Sequence, residues 1–155
     1  MIRLGTVHDL ESIAKINSDG WKANFNDELK GFSYENILER ARQHKWTEQA
    51  GIDAYVYEEN DRVLGYVFGK RDGKNCEIQS LYVALGAQGK GIGAKLFQFL
   101  KESYRESGCQ TMIVKSLKTL PNRKFYEKQG GRLQEGKIVQ IGKEEHQEAA
   151  YLYDL

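Results

Sequence analysis

Glu77-Ile78-Gln79-Ser80-Leu81-Tyr82-Val83, then Gln88-Gly89-Lys90-Gly91-Ile92-Gly93, then Ala94 to Tyr104 is the stretch that decides the fold. An apolar run, a glycine ladder and an amphipathic segment follow in close succession. The first reads as a strand. The last reads as a helix from Gly91 to about Ser107, with Ile92, Leu96, Leu100 and Tyr104 on one face and Phe97 and Phe99 widening it. Glycines at alternate positions let a backbone approach a bulky group, and a helix N-terminus offers unpaired N–H groups with partial positive charge. Together they suit phosphate oxygens.

Working outward, Ile2 to Gly5 reads as a first strand. His8 to Ser18 carries Leu10, Ile13, Ala14 and Ile16 at helical spacing, and Asp19-Gly20 is read as its end. Ser33 is placed to cap a second helix, Tyr34 to about Trp46. Ile52 to Glu58 and Arg62 to Arg71 flank Glu59-Asn60-Asp61 as a hairpin, and Asp72 to Asn75 turns the chain into a third strand, Cys76 to Val83. Beyond the long helix, which Gly108 ends, come a strand from Gln110 to Leu117 and a helix near Asn122 to Gln129. Two tail strands follow, Arg132 to Ile141 and Glu148 to Leu155, joined around Gly142 to His146. The order β-α-α-β-β-β-α-β-α-β-β predicts an α/β fold, a mixed α+β sheet with helices on both faces, as one domain over 1–155.

Spacing separates the phosphate-binding patterns that compete for the ladder. The dinucleotide fingerprint G-x-G-x-x-G read from Gly91 needs glycine at 96 and meets Leu96. Read from Gly89 it meets Ala94, which it tolerates, but the next strand carries no carboxylate for a ribose. The P-loop read from Gly89 has Lys95 in place, with Ala94 for its second glycine and Leu96 for its metal-binding hydroxyl. The pattern that fits is Q/R-x-x-G-x-G/A, as Gln88, Gly91 and Gly93. A second block follows, Pro121-Asn122-Arg123-Lys124-Phe125-Tyr126-Glu127-Lys128-Gln129-Gly130. In these two blocks, their order and their separation, the chain resembles the GNAT family of N-acetyltransferases.

The resemblance implies acetyl-CoA as acyl donor and two central strands that splay to admit its pantetheine arm. The backbone N–H groups of Gln88, Gly89, Lys90, Gly91, Ile92, Gly93 and Ala94 would take the pyrophosphate, with charge from Lys90 and Lys95. Leu81, Tyr82 and Val83 would offer main-chain groups to the pantetheine, and Leu81 or Val83 an N–H to the oxyanion. Tyr126 matches the family's tyrosine that protonates the leaving thiolate, and Phe125 its neighbour in packing or cofactor contact. A phenol with an ordinary pKa near 10 is a plausible acid for that step. The family's asparagine before the proline-like position is replaced by Leu120, and Asn122 stands two residues later.

Glu77 is the candidate base, with Ser80 and Tyr82 as alternatives, and the resemblance implies that such a glutamate takes the amine's proton through water. The resemblance implies that the first two helices cover the acceptor side. That region holds Trp21, Phe25 and Tyr34, with Phe32, Trp46, Asp19, Asp27 and Glu28 nearby. Aromatic rings with carboxylates suit a small amine with an apolar body. The expected activity is therefore acetyl transfer to a primary amine of a small molecule by direct attack in a ternary complex. Acetylation of a protein N-terminus or lysine, and a non-catalytic CoA-binding sensor or scaffold, are the alternatives. The tail strands carry edge potential, from which a homodimer is expected.

Bulk properties narrow the classes further. Composition is globular, 40% hydrophobic and 29% charged, and the net charge of +1 gives no field to draw nucleic acid or an acidic membrane. No apolar run reaches the roughly 18 residues of a spanning helix, and Met1 to Gly5 lacks a signal core, so a cytoplasmic location is expected. Cys76 and Cys109 read as buried free thiols, and His8, His44 and His146 show no metal-ligand spacing, so no metal is expected.

Overall fold

The computed structural model describes residues 1–25, 32–117, 120 and 122–155; Asp27, Glu28 and Pro121 lie outside the described residues. The elements are β1 (Ile2–Leu4), α1 (Leu10–Phe25), α2 (Tyr34–Gln43), β2 (Ile52–Glu59), β3 (Arg62–Asp72), β4 (Asn75–Val83), α3 (Ile92–Glu106), β5 (Thr111–Leu117), α4 (Arg123–Lys128), β6 (Arg132–Ile141) and β7 (Glu144–Asp154). This is the order expected from the sequence. The strands form one mixed sheet, β1-β2-β3-β4-β5-β7-β6. Every neighbouring pair is antiparallel except β4 and β5. A parallel pair needs a crossover, and α3 supplies it.

The sheet has a core on each face. The apolar stripe of α3, Ile92, Leu96, Phe97, Leu100 and Tyr104, is buried against Val67, Ile78, Met112, Val114 and Tyr151. Ile13 and Ile16 of α1 pack with Val56, Tyr66 and Phe68. α1 and α2 join through Leu10, Ala14, Ile37, Leu38 and Ala41. Cys76 and Cys109 are free and buried. Among the described residues no helix is long and apolar enough to cross a membrane.

Local signals explain most boundaries. Ser33 Oγ accepts from the Asn36 N–H at 3.3 Å, capping α2. Asn60 and Asp61 take φ of 51° and 60°, as a tight hairpin turn that follows the strand twist requires. Gly108, at φ 93°, ends α3.

Three boundaries differ from the sequence reading. Helix α2 ends at Gln43 instead of near Trp46, and Lys45 just beyond it takes a left-handed φ of 50°. Helix α1 runs through Asp19-Gly20 to Phe25. Asp19 is paired with Lys15 one turn back at 2.8 Å, and Gly20 serves close packing, since a Cβ there would lie 2.5 Å from Tyr82 ring carbons. Strand β7 begins at Glu144, because Gly142 (φ 61°) and Lys143 turn the chain at once and Ile141 pairs with Glu144.

Candidate active site

Strands β4 and β5 pair only from Asn75 opposite Thr111 to Ile78 opposite Val114, although β4 continues to Val83 and β5 to Leu117. Past Ile78, β4 stays paired with β3, and past Val114, β5 stays paired with β7. The two facing edges therefore separate. A bulge marks the split: Phe68 faces Ser80 while Gly69 faces Ile78, so Gln79 is the extra residue. A bulge bends its strand and re-aims the side chains beside it. The cleft is lined by Ile78 to Tyr82 on one wall and Val114 to Leu117 on the other, with Leu120, Asn122 and Tyr126 from the α4 region. Trp21 and Phe25 of α1, with Ile141 and Glu148 of the tail hairpin, complete it.

At the end of β4 the glycine ladder starts α3. Gly89 and Gly91 both have φ 79°, a left-handed conformation that favours glycine, and a Cβ at either would meet nothing within 4 Å. Gly93 differs. It is helical, and a Cβ there would touch Val83 and Phe125 at ordinary distances of 3.6–3.8 Å. Its reason is thus unlike that of the other two. The Lys95 N–H bonds to the Gly91 carbonyl at 3.0 Å, so the N–H groups of Ile92, Gly93 and Ala94 lack intrahelical partners at the positive end of α3. Gln88 Nε2 reaches the Val83 carbonyl at 3.4 Å and ties the loop to β4. Lys90 is exposed on the loop, whereas the Lys95 ammonium lies 5.8 Å from the ring centre of Tyr57.

Tyr126 is buried among the rings of Phe97, Phe125 and Tyr151 while bordering the cleft. Burial pushes its phenol well above the ordinary range, with a smaller push from Tyr82, so it holds its proton at neutral pH. Chemically it is a proton donor. Phe125 stands between Tyr126 and the first turn of α3. Asn122 Oδ1 accepts from Ser116 Oγ at 2.6 Å, which anchors the amide on the β5 wall.

The expected base and acceptor residues divide. Glu77 lies in the paired part of β4, opposite Lys70 and Ile113, outside the cleft lining. Trp21 and Phe25 line the cleft, stacked at 5.1 Å, with Phe25 edge-on to His146 at 5.6 Å. Tyr34 is not brought there; it packs where α1 meets α2 and borders an outer groove with Glu39 and Arg42.

Three residues of the site escaped the sequence reading. Glu148 is the carboxylate in the cleft, opposite Leu117, and its Oε2 accepts from the Lys137 N–H at 3.2 Å. Asn17 and Tyr66 form a polar chain to Ser80 on the cleft wall. Asn17 Nδ2 is 2.5 Å from Tyr66 Oη, which is 2.7 Å from Ser80 Oγ. Nothing in the sequence signals these, because each depends on which strand faces which.

Comparison with known proteins places the family and the fold. Residues 11–131 match the model of the Acetyltransferase (GNAT) family. An uncharacterized N-acetyltransferase of Methanocaldococcus jannaschii is 34% identical over 80 residues, 50% of this chain and 51% of that one. The chain thus spans about half the length of the curated relative it matches. The fold is similar to that of ribosomal-protein-alanine N-acetyltransferase from Brucella melitensis, with TM-score 0.77, 23% identity, and 100% and 99% of the two chains covered. It is also similar to PaiA N-acetyltransferase from Thermoplasma acidophilum in complex with coenzyme A, with TM-score 0.74, 17% identity, and 99% and 98% covered.

Proposed function

Since the chain belongs to the GNAT family of acetyltransferases, we propose that it moves the acetyl group of acetyl-CoA to the primary amine of a small molecule, by direct attack in a ternary complex. The observation that carries this reading is the split of β4 from β5 beyond Ile78. It opens a cleft with Tyr126 on its border, and β4 leads from it to the left-handed glycine at the start of α3.

The pyrophosphate would rest on the N–H groups of Gln88 to Ala94, and the pantetheine would run along the unpaired edge of Leu81, Tyr82 and Val83. Phe125 and Asn122 would border it. The amine lone pair attacks the thioester carbon, and the carbonyl electron pair moves to oxygen, which the N–H of Leu81 or Val83 meets. Collapse restores the carbonyl and breaks the carbon–sulfur bond. The leaving thiolate takes a proton from Tyr126, which solvent replaces. Two protons leave the nitrogen, one to free the lone pair of the bound ammonium before attack and one from the tetrahedral intermediate, and both pass through water to a carboxylate and on to solvent, Glu77 being the candidate base. The apolar walls of Trp21, Phe25 and Ile141 around the Glu148 carboxylate support a small cationic acceptor.

Calorimetric titration with acetyl-CoA, beside the Gly91→Glu variant, tests the reading. Binding by the wild type that the variant loses supports it, and a panel of primary amines is then screened for thiol release. A folded wild type that binds no acetyl-CoA overturns it.

A further inference from the structure

The polar chain from α1 to the cleft is unused in the reaction above, and we propose that it makes the Ser80 hydroxyl a second donor to the oxyanion of acetyl transfer. This role presupposes the acetyltransferase reading of the cleft. Asn17 and Tyr66 are both buried, Tyr66 completely. The nitrogen of the Asn17 amide can only donate, so at 2.5 Å it occupies a lone pair of the Tyr66 oxygen. Tyr66 has one proton to give, and Ser80 Oγ stands 2.7 Å away. The opposite sense, with Ser80 donating, would strand the phenol proton of a fully buried residue without an acceptor, which costs that group its full desolvation penalty. Hydrogen bonding therefore runs from Asn17 to Tyr66 to Ser80. Burial also holds the Tyr66 phenol far above its ordinary range, so it remains a donor.

That direction frees the proton of Ser80. No other described residue accepts it, and Ser80 lines the cleft. A hydroxyl whose oxygen already accepts a hydrogen bond is polarised into a stronger donor. Ser80 follows the bulged Gln79 and precedes Leu81, on the part of β4 that has left β5. A thioester carbonyl held at the Leu81 N–H would lie beside it. When the amine attacks, the carbonyl electron pair moves onto an oxygen that two donors face. When the carbon–sulfur bond breaks, the pair returns, and Ser80 keeps its proton throughout. Ser80 is then catalytic, and Tyr66 and Asn17 are positioning residues that act through it.

The test needs no knowledge of the acceptor. A ketone analogue of acetyl-CoA, with a methylene between sulfur and carbonyl and ¹³C at the carbonyl, is bound to wild type, Ser80→Ala, Ser80→Thr and Tyr66→Phe. The infrared carbonyl stretch is read for each, and affinity is measured by calorimetry. The expected result is a lowered stretch in wild type and Ser80→Thr, a rise in Ser80→Ala and a smaller rise in Tyr66→Phe. Affinity should stay within about tenfold, as one neutral hydrogen bond is worth about 1 kcal/mol. Thermal melts check Tyr66→Phe, whose loss of an oxygen leaves Asn17 unpartnered; Ser80→Ala decides even if that variant unfolds. An identical stretch in bound wild type and Ser80→Ala overturns the role of Ser80. A wild type that fails to bind the analogue and acetyl-CoA alike overturns the acetyltransferase reading itself.

Discussion

Gly20 of α1 lies directly against the ring of Tyr82 on β4, so close that a Cβ at position 20 would stand 2.5 Å from two ring carbons. The contact lets α1 press on the strand that forms one wall of the cleft. It also gives the two helical glycines of the site opposite behaviour. Gly20→Ala should lower stability, since overpacking costs about 1–3 kcal/mol and exceeds the gain of about 1 kcal/mol from alanine's helix propensity. Gly93→Ala, whose Cβ would make only ordinary contacts, should be neutral or slightly stabilising. Denaturant melts of both variants check this, and equal destabilisation would contradict it.

Tyr126→Phe removes the donor while keeping the ring among Phe97, Phe125 and Tyr151. Turnover should fall on the order of 10²-fold or more, the usual worth of a general acid, with acetyl-CoA affinity retained. Wild-type activity should not decline near pH 10 through this group, because burial lifts its phenol above that ordinary value. Rate profiles to alkaline pH read both effects, and unchanged turnover in the variant would remove Tyr126 from the chemistry.

Alkali should unfold the protein cooperatively. Burial raises the phenols of Tyr66, Tyr104, Tyr126 and Tyr153. A raised folded-state value means the unfolded chain releases its proton first as pH climbs. The contribution to stability is therefore complete below an unfolded value of about 10 and lost above it, towards the folded values. Denaturant midpoints measured from pH 8 to 11 should hold at first and then fall. A flat profile would contradict the burial of these hydroxyls.

Strand β6 forms an edge of the sheet, and Leu133 and Ile138 on it are 44% and 65% exposed. A long edge strand with apolar side chains invites pairing with a second copy. We expect a homodimer at micromolar concentration that Ile138→Lys weakens. Sedimentation velocity distinguishes the states, and a monomeric wild type would rule the dimer out.

The order of elements was readable because each carried a local signal: the stripe of α3, the Ser33 cap, the Asn60-Asp61 turn, the glycines at 89 and 91. The glycine ladder and Tyr126 stood out as candidates for a related reason, as each sits within a contiguous block. Gly20 misled because a glycine that breaks a helix and one that lets a strand approach look alike in sequence. Glu148 was invisible because its place depends on β7 inserting between β5 and β6, a pairing of distant segments. Asn17, Tyr66 and Ser80 come from α1, β3 and β4, and only the packed sheet makes them one chain of hydrogen bonds.

Glu148 and Glu77 can be told apart by which kinetic constant each controls. Glu148 lines the cleft near Trp21 and Phe25, with its carboxylate held by the Lys137 N–H, as suits a group that grips an ammonium. Glu77 sits on the paired part of β4, outside the cleft lining, so its proposed link to the amine would run through water. With the amine found by thiol-release screening, Glu148→Gln should raise its KM roughly 10- to 100-fold, the worth of a charge-assisted hydrogen bond, and alter kcat less. Glu77→Gln should lower kcat on the order of 10²-fold, leaving KM near the wild-type value. If kcat falls that far in Glu148→Gln instead and Glu77→Gln keeps the wild-type kcat, the cleft carboxylate is the base and Glu77 is a structural residue of the strand.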